Sequence, residues 1–234
     1  ALHLDKPLIV QFGYYLRSLA DGTFGYSYKK SAAVALLIRE RLGYTLQITV
    51  PAVLLSAALG LSWGLVCGYR KNSVGDRLST GALIVLNAVP SFVISLVLML
   101  VFCFQSRLLP YAGLSSSGIV KGSPGYTLDR LRHLALPILT LTLAALPNRY
   151  LLVRNTAAQE TDEKYILYAK QRGLSGRTIR WSYLLRNIAQ PFVNMLGMSV
   201  SVCVGGSVVI ERIFSIGGMG SLLTEAVYTL DYPL

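Results

Sequence analysis

Four long apolar runs divide the chain, at residues 44–68, 80–104, 134–153 and 191–210. Each is long enough to form a helix that crosses a bilayer, which takes about 20 residues. In the first, Gly60, Gly64 and Gly68 recur every fourth residue, the small-residue spacing that lets membrane helices approach closely. The second is interrupted at Asn87 and Pro90, and the third carries Pro137 and Pro147, which should bend it. The fourth passes Gly197, Gly205 and Gly206 before Glu211 and Arg212. The pattern predicts an all-α fold, a polytopic transmembrane helical bundle.

Polar stretches frame the runs. Residues 1–43 mix short apolar groups with Arg17, Asp21, Lys29 and Lys30, and Gly22, Gly25 and Ser27 mark turns, so they read as a water-facing segment with one short helix. Residues 105–132 are rich in Gly, Ser and Pro and read as a loop. Residues 215–234 read as a glycine-rich turn leading into a short amphipathic helix.

The stretch from Thr161 to Pro191 is polar and basic yet patterned for helix. Thr161 is placed to cap a helix with Asp162 and Glu163 in its first turn and Lys170 and Arg172 in its last. Gly173 supplies the stop. A second helix is expected from Ser175 through Ile179, Tyr183 and Leu184 to Pro191, which suits the first turn of the next helix. Helices this short are marginal alone in water and must pack on something else.

Charge sets an orientation. The loop 69–77 holds Arg70, Lys71 and Arg77, and the stretch 149–191 holds eight basic residues: Arg149, Arg154, Lys164, Lys170, Arg172, Arg177, Arg180 and Arg186. The loop 105–133 holds Arg107, Lys121, Arg130 and Arg132. The first two are therefore expected on the cytoplasmic side, with 154–190 as a cytoplasmic loop. Arg149 lies inside the nominal third run, where a central arginine costs about 2.5–3.5 kcal/mol, so it is expected near the inner end with Arg154.

Composition agrees: 53% of residues are hydrophobic and 14% charged, against about a quarter charged in soluble domains. The net charge of +11 does not indicate nucleic-acid binding, because the basic residues cluster between apolar runs. Cys67, Cys103 and Cys203 have no metal-ligand or disulfide spacing and read as small apolar fillers. His3 and His133 are far apart and expected at the surface, so no metal site or catalytic group is indicated. No G-x-x-x-x-G-K-[ST] loop is present, so any nucleotide must be held by another chain.

Ala169-x-x-x-Gly173 with Leu185-Arg186-Asn187 and Pro191, together with Asn87-Ala88-Val89-Pro90-Ser91-Phe92 and the block from Glu211 to Pro233, resembles the permease subunits of ABC importers for dipeptides, oligopeptides or nickel. The resemblance runs from Leu4 to Pro233. It departs from the pattern at Leu167-Tyr168-Ala169, where Glu-Ala-Ala is usual, at Lys164, and at Gly43 in place of a proline. It implies a fold like type I importer permeases, with one more transmembrane helix before this sequence and one after it, so that 1–43 and 215–234 face outward.

By that resemblance the chain is a multi-pass protein of the bacterial or archaeal cytoplasmic membrane. It would pair with a second homologous permease, two ATP-binding subunits that hold ATP and Mg, and an extracytoplasmic solute-binding protein. The coupling loop would dock the ATPase through Tyr165, Ile166, Ala169, Lys170, Arg172, Gly173, Leu174, Arg186, Asn187 and Pro191. Asn87, Ser91, Asn194, Ser199, Ser207 and Glu211 are polar candidates for the translocation path. Each can equally serve helix-to-helix hydrogen bonding, and for Glu211 the structural role is favoured. The alternative function is an ATP-independent channel or secondary transporter. That class usually needs an ion-coupling acid or base inside the spans.

Overall fold

The computed structural model describes residues 6–120, 122–205 and 208–234. Helix α1 (Leu8–Ala20) is followed by a small antiparallel hairpin, β1 (Tyr26–Ser27) against β2 (Ala32–Ala33), with Tyr26 opposite Ala33. Helix α2 (Val34–Tyr69) starts directly after β2. Its 36 residues rise about 54 Å, well beyond a hydrocarbon layer of about 30 Å. The expected boundary at residue 43 thus falls inside a helix. Hydropathy marks where a helix meets lipid, and the polar turn around Arg39, Glu40 and Arg41 continues the same helix outside it.

Helix α3 (Val74–Ala88) is capped by Ser73, whose Oγ accepts from the backbone N–H of Asp76 at 3.2 Å. Helix α4 (Ser91–Met99) follows and widens into a π-helical stretch, Leu100–Gln105. Between them Val89 is extended (ψ 121°) because a residue before proline is disfavoured from helical geometry. The axis turns by 97° there. The expected run 80–104, interrupted at Asn87 and Pro90, thus falls on two helices that meet at Val89 and Pro90.

Helix α5 (Pro124–Glu160) has 37 residues, with Pro124 in its first turn. It stays continuous through Pro137 and Pro147 and begins inside the expected loop 105–132. Arg130 Nε, in this early part, donates to Gln47 Oε1 at 2.9 Å. His133 is 6% exposed rather than at the surface, because the helix already turns it onto the packed face with Leu134 and Leu136. His3 lies outside the described residues. After α6 (Lys164–Gln171), α7 (Gly176–Thr178) runs through a π-helical stretch, Ile179–Leu184, into α8 (Leu185–Gly205). Pro191 sits within α8 and does not start a helix; membrane helices tolerate such prolines where neighbours satisfy the freed groups. Helices α9 (Val208–Ile213) and α10 (Met219–Thr229) follow.

Among the described residues α2 and α5 are the helices long and apolar enough to cross a membrane, and the bent α3–α4 pair counts as a third span if taken as one. The expected run 191–210 follows α8 and enters residues 206–207, which are not described.

Helices α2 and α5 are parallel partners in a fixed register. A Cβ built on Gly60 would stand 2.7 Å from Arg149 Cβ, one on Gly64 2.8 Å from Val153 Cβ, and one on Gly68 2.5 Å from Ala157 Cβ. Both members of each pair advance by four residues, so one helix turn on α2 meets one on α5. The chain must cross back between them through the bent pair. Helix α3 is tied to α5 by Asp76, 1% exposed, which accepts from Arg154 Nε at 2.8 Å and Nη2 at 2.5 Å, the two-pronged geometry that carboxylate and guanidinium favour.

Two apolar clusters flank this seam. Leu65, Val153 and Ala157 gather Ile166, Ala169, Ile179, Leu184, Ile188 and Phe192 at one end. Ile48, Leu134 and Leu136 gather Ile210, Phe214 and Ile216 toward the other. At that other end the hairpin meets α10: Ser27 Oγ donates to Asp231, and Lys30 Nζ pairs with Glu225 Oε1 at 2.6 Å.

Replacing Gly68 by Ala forces a methyl against Ala157 and the Arg154 carbonyl, which is 2.6 Å from the built Cβ. Such overpacking costs about 1–3 kcal/mol. A lowered thermal midpoint of the purified chain in mild detergent is expected. Gly81→Ala, where nothing lies within 4 Å of the built Cβ, should keep the midpoint or raise it.

Candidate functional site

The α5–α6–α8 elbow draws together most of the sequence-predicted docking residues. Glu163, not Thr161, precedes α6 as its N-cap. Thr161 instead closes α5, its Oγ1 donating to the Ala157 carbonyl at 2.6 Å. The polar run 160–163 offers several capping side chains, and packing of Ile166 and Ala169 selects the start. The stop falls where expected: Gly173 has φ +74°, its N–H reaches the Lys170 carbonyl at 2.9 Å, and the N–H of Leu174 reaches the Ala169 carbonyl at 3.2 Å. This is the paired hydrogen bonding of a Schellman end, with Leu174 packed on the apolar cluster below. Ser175 caps the next helix, accepting from the Thr178 N–H at 3.2 Å.

Two faces of α6 differ. Ile166 and Ala169 are buried against α2, α5 and the π-helical stretch, so these two residues of the expected docking set anchor the helix to the bundle. Leu167 and Tyr168 are 54% and 59% exposed on the opposite face. Lys170 lies 5.7 Å and Arg180 5.3 Å from the centre of the Tyr69 ring, so both cations rest on the end of α2. Arg172 is exposed and Pro191 half-buried.

A polar hub locks the elbow. The Tyr165 hydroxyl donates to Glu160, at the end of α5, and accepts from Asn187 Nδ2 on α8 at 2.8 Å. Asn187 Nδ2 also donates to Glu160 Oε2 at 2.8 Å. Burial, then the bonded Glu160 carboxylate, holds the Tyr165 phenol well above its usual pKa, so it remains a donor at physiological pH. Arg186 is exposed beside the hub and lines a shallow hollow with Tyr165, Ser182, Tyr183 and Asn187.

The polar path candidates do not converge. Asn87 is exposed at the end of α3, Ser91 half-buried at the start of α4 and Asn194 exposed on α8. Ser207 lies outside the described residues. Ser199 accepts from Arg149 Nη2 at 3.1 Å in a cavity of about 170 Å³ lined by Thr49, Ala52, Val53, Leu141, Ala145, Arg149, Ser199 and Cys203. Arg149 is 4% exposed. It lies five residues, about 7.5 Å of helix rise, back along α5 from Arg154 and is packed inside the protein.

Glu211 is enclosed by its hydrogen-bond partners. It is wholly buried; Oε1 accepts from Thr45 Oγ1 at 2.7 Å, and Oε2 accepts from the N–H groups of Gly220 at 2.8 Å and Ser221 at 3.2 Å. It sits at the start of α10, where a negative charge meets unsatisfied helix N–H groups. Gly218 and Gly220 permit this: a Cβ on Gly218 would be 2.7 Å from Glu211 Oε2, and one on Gly220 2.5 Å from Val208 Cα.

The family described as binding-protein-dependent transport system inner membrane component matches residues 60–234, a range that contains the capped elbow, the hub and the Glu211 turn. The chain belongs to this family of importer permeases. A putative peptide permease protein of Brucella ovis is 32% identical over 237 residues, spanning 100% of the chain and 72% of that protein. A probable peptide ABC transporter permease protein of Sinorhizobium fredii and a glutathione transport system permease protein of Escherichia coli are each 30% identical over 233 residues, again spanning 100% of the chain and 72% of each relative.

In the permease, the outward Leu167 and Tyr168, beside the inward pair Ile166 and Ala169, make α6 apolar on two sides, a pattern visible in the sequence. Arg149 carried a clearer signal, a cation inside an apolar run. Replacing Glu211 by Leu strands three donors, and at roughly 1 kcal/mol each a loss of about 3 kcal/mol is expected. Differential scanning calorimetry in detergent, with limited proteolysis reporting release of residues 215–234, checks it.

Proposed function

We propose that the permease forms half of the translocation pathway of an ATP-driven importer of peptides and couples to separate ATPase subunits through the α6 elbow. The observation that carries the coupling is the division of α6: one face anchored by Ile166 and Ala169, the other offering Leu167 and Tyr168 outward. A helix of eight residues displaced by a partner would melt if it were unsupported. Capped at Gly173 and fixed through Glu160, Tyr165 and Asn187, it carries a push into α5 and α8 together.

By the basic-residue count the elbow faces the cytoplasm and the hairpin and α10 face outward. ATP binding would close the ATPase pair, move α6 and open the pathway outward to cargo delivered by a binding protein; hydrolysis would reset it. A second, homologous permease supplies the other half. The relatives named for peptides and glutathione favour peptide over nickel as cargo. Isolated flux without ATPase subunits would instead mark a channel or secondary transporter.

Two variants test coupling. Tyr168→Asp with Leu167→Asp should lose co-purifying ATPase while the permease still inserts. Gly173→Val, which places a branched side chain at a φ that costs roughly 1–2 kcal/mol for L residues, should cut peptide uptake at least about tenfold, an effect of about 1.4 kcal/mol. Undiminished ATPase capture by the double variant, or normal uptake by Gly173→Val, overturns the coupling role.

A further inference from the structure

The cavity around Arg149 holds a buried cation whose counter-charge the described chain does not supply. A guanidinium stays protonated and has five N–H donors. Arg149 Nη2 donates to Ser199 Oγ, while Nη1 is buried with no hydrogen-bond partner among the described residues. The lining residues include no acid. The buried carboxylates of Asp76 and Glu211 are committed elsewhere, Asp76 to Arg154 and Glu211 to Thr45, Gly220 and Ser221. A buried charge left this way carries a desolvation penalty that only an opposite charge offsets well.

We propose that this cavity binds the carboxylate end of a peptide in transit, with Arg149 as the anion-binding residue and Ser199 holding its guanidinium. A carboxylate matches the unpaired edge of the fork. At about 170 Å³ the cavity is smaller than the roughly 300–1,000 Å³ that encloses a whole ligand, so it takes one end group. Ala52, Val53, Leu141 and Ala145 provide an apolar wall and no further charge. The proposal rests on the peptide-importer reading for the identity of its ligand.

Cys203 lines the same cavity and provides a reporter. In the complete transporter reconstituted in vesicles, with Cys67→Ala and Cys103→Ala in the full-length permease, Cys203 labelling is timed with anionic sulfonatoethyl methanethiosulfonate and with neutral methyl methanethiosulfonate. The anionic-to-neutral rate ratio should fall about tenfold in Arg149→Gln, as loss of one nearby charge predicts, and be kept in Arg149→Lys. In the unaltered Arg149 protein, a transported peptide with a free carboxylate should slow labelling, whereas its C-terminal amide should not. An unchanged ratio in Arg149→Gln overturns the anion site. Protection by acetate but not by peptide, or equal protection by acid and amide, overturns the peptide carboxylate as ligand. ATP-dependent peptide uptake by the same vesicles separates the two readings: uptake without protection defeats this proposal alone, and no uptake defeats the importer-of-peptides reading.

Discussion

The close contact between α2 and α5 is the constraint on which the rest depends. Three glycines a turn apart let the two backbones approach until no side chain fits between them, and in lipid such packing replaces the hydrophobic effect as the force between helices. Because the helices are parallel, the bent α3–α4 pair has to carry the chain back across. Because the register is fixed, Arg149, Val153 and Ala157 fall at set depths. Val153 and Ala157 then floor the cluster that seats Ile166 and Ala169, so the elbow's position is decided by glycines on another helix.

Charge at the two ends of this seam is handled in opposite ways. Asp76 and Arg154 neutralise each other beside the elbow, and Glu211 is satisfied by a hydroxyl and two backbone N–H groups at the other end. Both arrangements are closed and serve the fold. Arg149, between them, has one hydrogen-bond partner and an open cavity beside it, so among these charges it is the one left with room to take a ligand.

Much of this was legible in the sequence. The glycine repeat, the Gly173 stop, the Ser175 cap and the α10 helix follow from local rules, and local rules act on residues close in sequence. What was not legible depends on distant packing. Thr161 is the better cap by its chemistry, yet α6 starts after Glu163, whose side chain makes no capping bond, where Ile166 and Ala169 are buried. His133 looked like a loop residue because polar character hides a helix that extends past the lipid. Pro191 reads as a helix start from its chemistry, yet α8 runs through it. Ile166 and Ala169 belong to the motif, but only the fold shows that they face inward.

The clamp between the hairpin and α10 has a consequence for synthesis. Ser27 and its acceptor Asp231 are 204 residues apart, and a hairpin with two-residue strands has no stability of its own. At about 5–20 residues per second on the ribosome, its acceptor arrives roughly 10–40 s after the hairpin itself. Throughout that interval the hairpin waits unfastened, without the acceptor that holds it.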